Sequence, residues 1–278
     1  MKELIVRFLK KILATADREV MSFAVHKWGR SFYLSAMNTR SAVKRIKQQF
    51  NFDKTSGLFF IKSASGIRFF GDRSIGLAFY GNGIKERVLY LTGTYFLNSI
   101  NFEENDLIVD VGANIGDFHL ALQSKGVSLQ YVGFEPAPIE FECLRRNCAY
   151  ELLHNIALSD FNGTTQFYIS SQNGDSSLIT PSKFSELIRC ETRTIDSFNF
   201  NQVKLLKLEA EGAELEVLKG SIKTLSAIEY IAADLGPERL GKCTLPEVTN
   251  FLLKNSFDMI EFNEHRTTAL FHNNSFKS

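Results

Sequence analysis

A chain of 278 residues, 44% hydrophobic and 23% charged, has the composition of a folded globular protein and enough length for one large core, which excludes a disordered or low-complexity chain. Its net charge of +1 gives the whole molecule no strong electrostatic preference. No stretch approaches the roughly 20 apolar residues of a membrane-spanning helix.

The charge is nevertheless uneven. Residues 1–50 hold eleven Lys and Arg against Glu3, Asp17 and Glu19. Within them Leu4, Ile5, Phe8, Leu9, Ile12 and Leu13 recur at three- and four-residue spacing, and "SAVKRIKQQF" repeats the habit, so residues 1–56 are predicted to be a basic helical extension. Its charge has three readings: a solvated face packed on the rest of the chain, peripheral contact with an anionic membrane or glycan, or counterion-releasing contact with nucleic acid. No RNA-binding or helix-turn-helix signature accompanies it, so no nucleic-acid partner is expected. The longest apolar run is too short for a signal-peptide core. Cys143, Cys148, Cys190 and Cys243 form no CxxC pair and read as reduced thiols. Both features predict a cytoplasmic protein, with the inner face of the membrane as an alternative station.

Residues 57–278 are predicted to form the main domain. In its first part, 57–105, apolar residues flanking "SASG" within 57–80 suggest a hairpin, and a helical pattern follows over 84–100. From Leu107 strands and helices alternate: strand 107–111, helix 115–125, strand 129–135, helix 138–149 and strand 153–158. A hairpin-like pair lies near 164–169 and 190–195. Then come strand 203–209, helix 213–225, strand 228–234, helix 245–255, and two last strands near 257–262 and 267–272. Such alternation predicts an α/β fold, mostly parallel, with helices on both faces and an antiparallel final pair.

The stretch "LIVDVGANIGDFHLAL" sets two glycines and an acid where the first parallel strand hands over to a helix. Glycines there permit positive φ and close approach of a ligand to backbone. The next strand ends in Glu135, placed to accept hydrogen bonds from a ribose diol. The Gly112-x-x-x-Gly116 spacing is not the G-x-G-x-x-G of dinucleotide sites, and no phosphate cradle follows. A ligand with a ribose and no phosphate fits better, and S-adenosylmethionine is one. An NAD-dependent oxidoreductase is the rival that the spacing disfavours; a turn that only packs helix on sheet is the bland one.

"DLIVDVGANIG", "VGFEPAP", "NIALSDFNG", "GDSSLI", "RTIDSF" and "LLKLEAEGAELEVLKG", in this order, resemble the FkbM family of S-adenosylmethionine-dependent methyltransferases over about residues 85–262. The resemblance implies a Rossmann-like class I methyltransferase fold with a seven-stranded sheet, and O-methylation of a hydroxyl on a sugar, glycan or natural product. It implies that Asp110, Gly112, Asn114 and Gly116 line the methionine side of the cofactor, that Glu135 holds the ribose, and that Ala157, Leu158 and Asp160 lie by the adenine. The family usually has Asp where this chain has Glu209, one methylene longer. A non-catalytic cofactor-binding or scaffold protein of a glycan-assembly complex is therefore the alternative.

Methyl transfer to a hydroxyl needs alignment of donor and acceptor and removal of a proton. Glu209, Glu211 and Glu214 cluster at the carboxyl end of the fourth parallel strand, and clustered carboxylates raise one another's pKa. Glu209, Glu211 and Asp234, the last ending the fifth strand, are the catalytic candidates. Asp175 and Ser176, with Ser177 beside them in a polar loop, and Glu214 are candidates for substrate contact, although Glu214 also suits a helix N-terminus. The acids are a conceivable divalent-metal site, unsupported by any histidine at ligand spacing, so no metal ligand is assigned. His119 reads as a packed histidine and His265 as a hairpin residue.

Overall fold

The computed structural model describes residues 29–169, 176–179 and 184–276. The first 28 residues, and with them the amphipathic run Leu4–Leu13, lie outside the described residues. From Arg30 the chain builds a layer of its own: helix α1 (Arg30–Val43), strands β1 (Gln48–Phe52), β2 (Phe59–Ser63) and β3 (Gly66–Phe70), then helices α2 (Arg73–Tyr80) and α3 (Ile84–Thr94). The three strands pair antiparallel in the order β1-β2-β3. The expected hairpin is thus present as β2–β3, but two local readings change. Gln48–Phe52, read as helical, is a strand, because Phe50 and Phe52 pair with Ile61 and Phe59 and gain an aromatic neighbourhood that a helix would not give them. Arg73–Tyr80 is a helix, started by Asp72, whose Oδ1 accepts the Ser74 N–H at 2.6 Å. Tyr33, Met37, Phe50, Phe59, Ile61, Phe70 and Tyr80 form the buried core of this layer, which also takes in Ile115 and Cys143 from the following part of the chain.

That part comprises β4 (Leu107–Val111), α4 (Asp117–Gln123), β5 (Gln130–Phe134), α5 (Pro138–Asn147), β6 (Leu152–His154), β7 (Ala157–Leu158), β8 (Gly163–Ile169), β9 (Glu186–Arg193), β10 (Val203–Leu208), α6 (Glu214–Lys219), β11 (Ile228–Asp234), α7 (Leu245–Lys254), β12 (Phe257–Asn263) and β13 (Thr268–Asn273). Seven strands join in the order β12-β13-β11-β10-β4-β5-β6. β6, β5, β4, β10 and β11 run parallel; β13 is antiparallel to β11 and to β12. This is the class I methyltransferase arrangement, with the helices packed on both faces. The strand predicted over 153–158 is split: β6 ends the large sheet, whereas β7 leaves it to pair with β9 in a separate β7-β9-β8 sheet.

Period-two alternation assigns each strand residue to a face. Val109, Val111, Leu206, Leu208, Ile231 and Ala233 face α6 and α7, in the core that includes Val217, Leu218, Val248 and Leu252. Ile108, Leu205, Ala232 and Leu270 face the other way, against Leu91, Tyr95, Phe118 and Leu122 of the α3 and α4 side. β4 and β10 are neighbours although ninety residues of sequence and both branches of the sheet separate them, so the reversal of strand order falls between them. A crevice at their carboxyl ends is where an open parallel sheet takes its ligand.

One buried charge fastens the front layer to this crevice. Asp117, in the first turn of α4, is ion-paired to Arg68 of β3 at 3.1 Å and to Arg87 of α3 at 3.0 Å, and accepts the Tyr80 hydroxyl of α2 at 2.7 Å. Burial alone would raise its pKa, but Arg87, Arg68 and Tyr80 hold it below the ordinary value. The stabilisation is therefore present above the unfolded carboxylate range and lost as pH falls through the folded value. Asp117→Ala leaves two guanidinium groups without their buried counter-ion and is expected to cost about 3–5 kcal/mol in urea denaturation at pH 7. The deficit relative to the parent shrinks toward pH 3.

Candidate active site

The crevice opens into a cavity of about 770 Å³, inside the roughly 300–1,000 Å³ range of small-molecule sites. Its floor is made by the carboxyl ends of β4, β5, β10 and β11. One wall comes from the β5–α5 and β6–β7 segments, the opposite wall from α2 and α3.

The glycine turn forms as the sequence suggested, but its glycines answer mainly to the protein. Gly112 has φ +71°, and a Cβ there would collide with the backbone carbonyl oxygen of Glu209. Gly116 is left-handed at φ +85°, and a Cβ would fall 2.6 Å from the Cys148 sulfur. Gly112 and Asn114 line the cavity; Gly116 and Asp110 do not. Asn114 is itself at φ +48°, a left-handed conformation uncommon for a residue with a side chain. Its N–H donates to Glu135 Oε2 at 2.8 Å, while Ala137 N–H donates to Oε1 at 2.8 Å. Each oxygen of Glu135 thus accepts one backbone donor, and a carboxylate has about four acceptor positions. Burial, and after it Glu140, pushes the Glu135 pKa up to about 8.

Phe134, Ile156, Ala157 and Leu158 continue the wall beyond Glu135 as an apolar strip. Asp160 is exposed and outside the cavity. Ser176 lines the cavity, and Ser177 donates its hydroxyl to the Glu211 carbonyl at 2.6 Å; Asp175 lies outside the described residues.

The three glutamates after β10 separate. Glu209 and Glu211 line the cavity, Glu211 at φ +50°. Glu214 does not: it is fully buried, and its Oε1 accepts the N–H groups of Ala210 and Gly212 at 3.0 Å each. The bracing of the Glu209–Gly212 loop thus falls to Glu214, and its geometry is that of a loop clamp with no face toward a substrate. Asp234 lines the cavity with burial, and after it Glu209, raising its pKa to about 7. Its Oδ1 accepts Gly236 N–H at 3.2 Å, and Arg266 stands 4.0 Å from Oδ2. His119 is packed beside Glu151 at 2.8 Å, and His265 is an exposed hairpin residue. Among the described residues no group of three or more His, Cys, Asp or Glu is arranged to hold a metal ion. Nor is any described helix long and apolar enough to cross a membrane.

Sequence reasoning missed the charges that organise the floor and the front wall. Lys207 sits in register with Asp110 between the two central strands. Its ammonium is 3.1 Å from Asp110 and 2.9 Å from Glu209, and donates to the carbonyls of Gly112 (2.6 Å) and Val111 (3.2 Å). Tyr131 donates its hydroxyl to Asp110, and the Tyr95 hydroxyl bonds Glu209. Burial would lower the lysine's pKa, but Asp110 and Glu209 raise it above the ordinary value; burial would raise that of Glu209, but Lys207 first among its partners holds it below. The signal was legible in "VKLLKL", where a lysine interrupts an otherwise buried run. Arg87, Tyr90 and Arg266 at the mouth gave no comparable signal, because they meet only in three dimensions.

The signs give a pH window. Glu209 stabilises above its unfolded value of roughly 4.3 and the effect is lost as pH falls; Lys207 stabilises below its unfolded value of roughly 10.4 and the effect is lost as pH rises. Lys207→Met should therefore cost about 3–5 kcal/mol at pH 7, because Asp110 is left buried, and Glu209 part-buried, without a counter-ion. Urea midpoints measured from pH 4 to 9 should show that deficit smallest at the acid end.

Comparison with known proteins places this geometry in a family. Residues 110–265 match the methyltransferase FkbM domain. The chain is 30% identical over 160 residues to the methyltransferase sdnD of Sordaria araneosa, covering 43% of this chain and 62% of that protein. It is 24% identical over 204 residues to the 2-O-methyltransferase NoeI of Sinorhizobium fredii, covering 65% and 84%. A solved FkbM methyltransferase from Methylobacillus flagellatus overlays 72% of this chain and 53% of its own, at 18% identity and a TM-score of 0.49. The chain thus spans about three-fifths of the length of sdnD. With the matched segment running from Asp110 of β4 to the turn after β12 and covering more than half of the sequence, the chain belongs to the FkbM methyltransferase family.

Proposed function

We propose that this protein is an S-adenosylmethionine-dependent O-methyltransferase whose acceptor is a hydroxyl of a sugar, a glycan or a related natural product. The observation that carries the reading is that one cavity at the switch point of the sheet joins Glu135, with acceptor positions to spare, to Asp234, an acid balanced near neutrality. Family membership and the 2-O-methyltransferase NoeI support it.

The residues fit the cofactor. In its ionised form Glu135 has one spare acceptor position on each oxygen, matching the two hydroxyls of a ribose. The Phe134–Ile156–Leu158 strip offers a flat base an apolar surface. Asp110 and Glu209 share the one charge of Lys207, and the remaining negative charge suits a ligand that carries a sulfonium and an ammonium group. When bound, the cofactor supplies a methyl group already activated on a positive sulfur, so alignment and proton removal are what the protein adds.

The two floor carboxylates divide that work. Glu209 is held ionised by Lys207 and the Tyr95 hydroxyl, so it is a weak base and a fixed hydrogen-bond acceptor that orients the acceptor hydroxyl. Asp234, raised to about 7, would take the proton from the acceptor hydroxyl as that oxygen receives the methyl group. A carboxyl near pKa 7 is the stronger base of the two at working pH. Glu211 shapes the cavity by its left-handed backbone, fixed from outside by Ser177.

Calorimetry should show S-adenosylmethionine binding that weakens at least about tenfold in Glu135→Ala, with no binding of NAD. Absence of binding by the intact protein would sink the reading, and binding without turnover across an acceptor screen would support the scaffold alternative. With an acceptor in hand, kcat should rise with pH through about 7, where Asp234 loses its proton, because the base must be ionised. Asp234→Asn should lower kcat by about 10²–10⁴ and remove that limb.

A further inference from the structure

The front wall of the cavity carries features that the cofactor and the proton transfer leave unused. Arg87 of α3 reaches the cavity with its side chain only 15% exposed. Its Nε is committed to Asp117 at 3.0 Å, and its guanidinium carbon lies 3.6 Å from the centroid of the Phe79 ring. Its two terminal amino groups meet no acceptor among the described residues, so four N–H donors in a fixed plane are left for the cavity. Arg266, from the β12–β13 hairpin, approaches from the other side. It reaches Asp234 only at 4.0 Å and is 48% exposed. The Tyr90 ring lies between them, 5.6 Å from the guanidinium carbon of Arg87 and 5.3 Å from that of Arg266. One held and one loosely tethered guanidinium group, flanking a half-exposed aromatic ring, are thus presented at one mouth.

We infer that Arg87, Tyr90 and Arg266 form the acceptor subsite and that it takes a ring bearing a carboxylate, held by the guanidinium forks while the hydroxyl to be methylated reaches Asp234. The inference rests on the methyltransferase reading above and deepens it.

The chemistry of the wall selects this class. A guanidinium whose edge is free recognises a planar carboxylate through two parallel N–H donors, which a neutral hydroxyl cannot match. Tyr90 gives a ring an apolar platform. Glu86, Glu135, Glu140, Glu209, Glu211, Asp234 and Glu238 also line the cavity, so selection rests on the local guanidinium edges and not on a net positive field. Glu209 shares the charge of Lys207 with Asp110, and Glu135 and Asp234 are raised by burial to about 8 and about 7, so the floor holds less negative charge than its composition suggests. Glu86, beside Arg87, is exposed to solvent, where its field is screened. The long contact between Arg266 and Asp234 means that recruiting Arg266 to a ligand sacrifices little. The carboxylate is an anchor and remains unchanged in the reaction.

The test measures binding by calorimetry or saturation-transfer NMR with S-adenosylhomocysteine held at saturation. Three probes are compared: methyl β-D-glucuronide, methyl β-D-glucoside and cyclohexanecarboxylate. The glucuronide should bind about tenfold or more tightly than the glucoside. Arg266→Gln, at a half-exposed position, should erase the difference by weakening the glucuronide alone, and Arg266→Lys should restore part of it. Cyclohexanecarboxylate equal to the glucuronide would keep the inference and assign the anchor to a non-sugar acid; a much weaker carboxylate would keep it and assign the anchor to an acidic sugar. Equal binding of the two glycosides, no binding of any probe, or an Arg266→Gln variant indistinguishable from the parent would overturn it. Retained S-adenosylhomocysteine binding in those cases confines the failure to the acceptor subsite, whereas its absence overturns the methyltransferase reading as well.

Discussion

The ion pair that Lys207 makes across the two central strands is the constraint on which the site depends. β4 and β10 diverge beyond their paired segment, one continuing into the glycine turn and the other into the Glu209–Gly212 loop. Two loops leaving neighbouring strands in opposite directions have no intrinsic reason to keep a fixed separation. Lys207 supplies one, binding Asp110 and the Gly112 carbonyl on one side and Glu209 on the other. The contact is close enough that the Glu209 carbonyl occupies the space a side chain at position 112 would need. A buried ammonium carries a heavy desolvation cost, which only a full set of partners offsets. Here two carboxylates and two carbonyls provide that set.

The same logic recurs at Asp117 one layer out. There a single carboxylate gathers Arg68, Tyr80 and Arg87 from three elements of the front layer. The two clusters lie on either side of the glycine turn, so the turn is held from beneath by Lys207 and from the front by the salt bridges at α4. As a result the α2–α3 wall is a rigid part of the cavity, and an acceptor bound there meets a floor whose position is already fixed. Preorganisation of this kind is what an in-line displacement asks of its host.

Much of this was legible in the sequence, and the rest was hidden for identifiable reasons. Alternation of strand and helix from Leu107 onward gave the parallel sheet, because each element's apolar period is local. Glu135 and Asp234 were found because a strand's carboxyl end is itself a local landmark. The boundary near residue 156 failed, since leaving one sheet for another depends on which edge is free to pair. Glu214 was grouped with its neighbours by spacing alone, although its carboxylate turns inward to the loop's own N–H groups. Gly112 was read as opened for a ligand, and its immediate cause is the Glu209 carbonyl, nearly a hundred residues away. Arg87 carried no local signal, because Asp117, Phe79 and Tyr90 become its neighbours only after folding.

Glu135, Glu209 and Asp234 show how one cavity makes three different groups from the same functional group. Glu135 is buried and takes two backbone donors but no direct cation, and it stays high. Glu209 has the same length of side chain and touches Lys207, so it is the permanent anion. Asp234 is near enough to Glu209 to feel its charge and far enough from Arg266 to gain little from it, so it settles between them. Moving the lysine would exchange these roles, because Glu209 would then lose its counter-ion and cease to press on Asp234. The longer side chain of Glu209 also acquires a reason: it lets a carboxylate reach Lys207 and Tyr95 together while still facing the cavity. The division between a fixed anion and a titrating base is thus set by the placement of one cation, beneath the surface that a ligand touches.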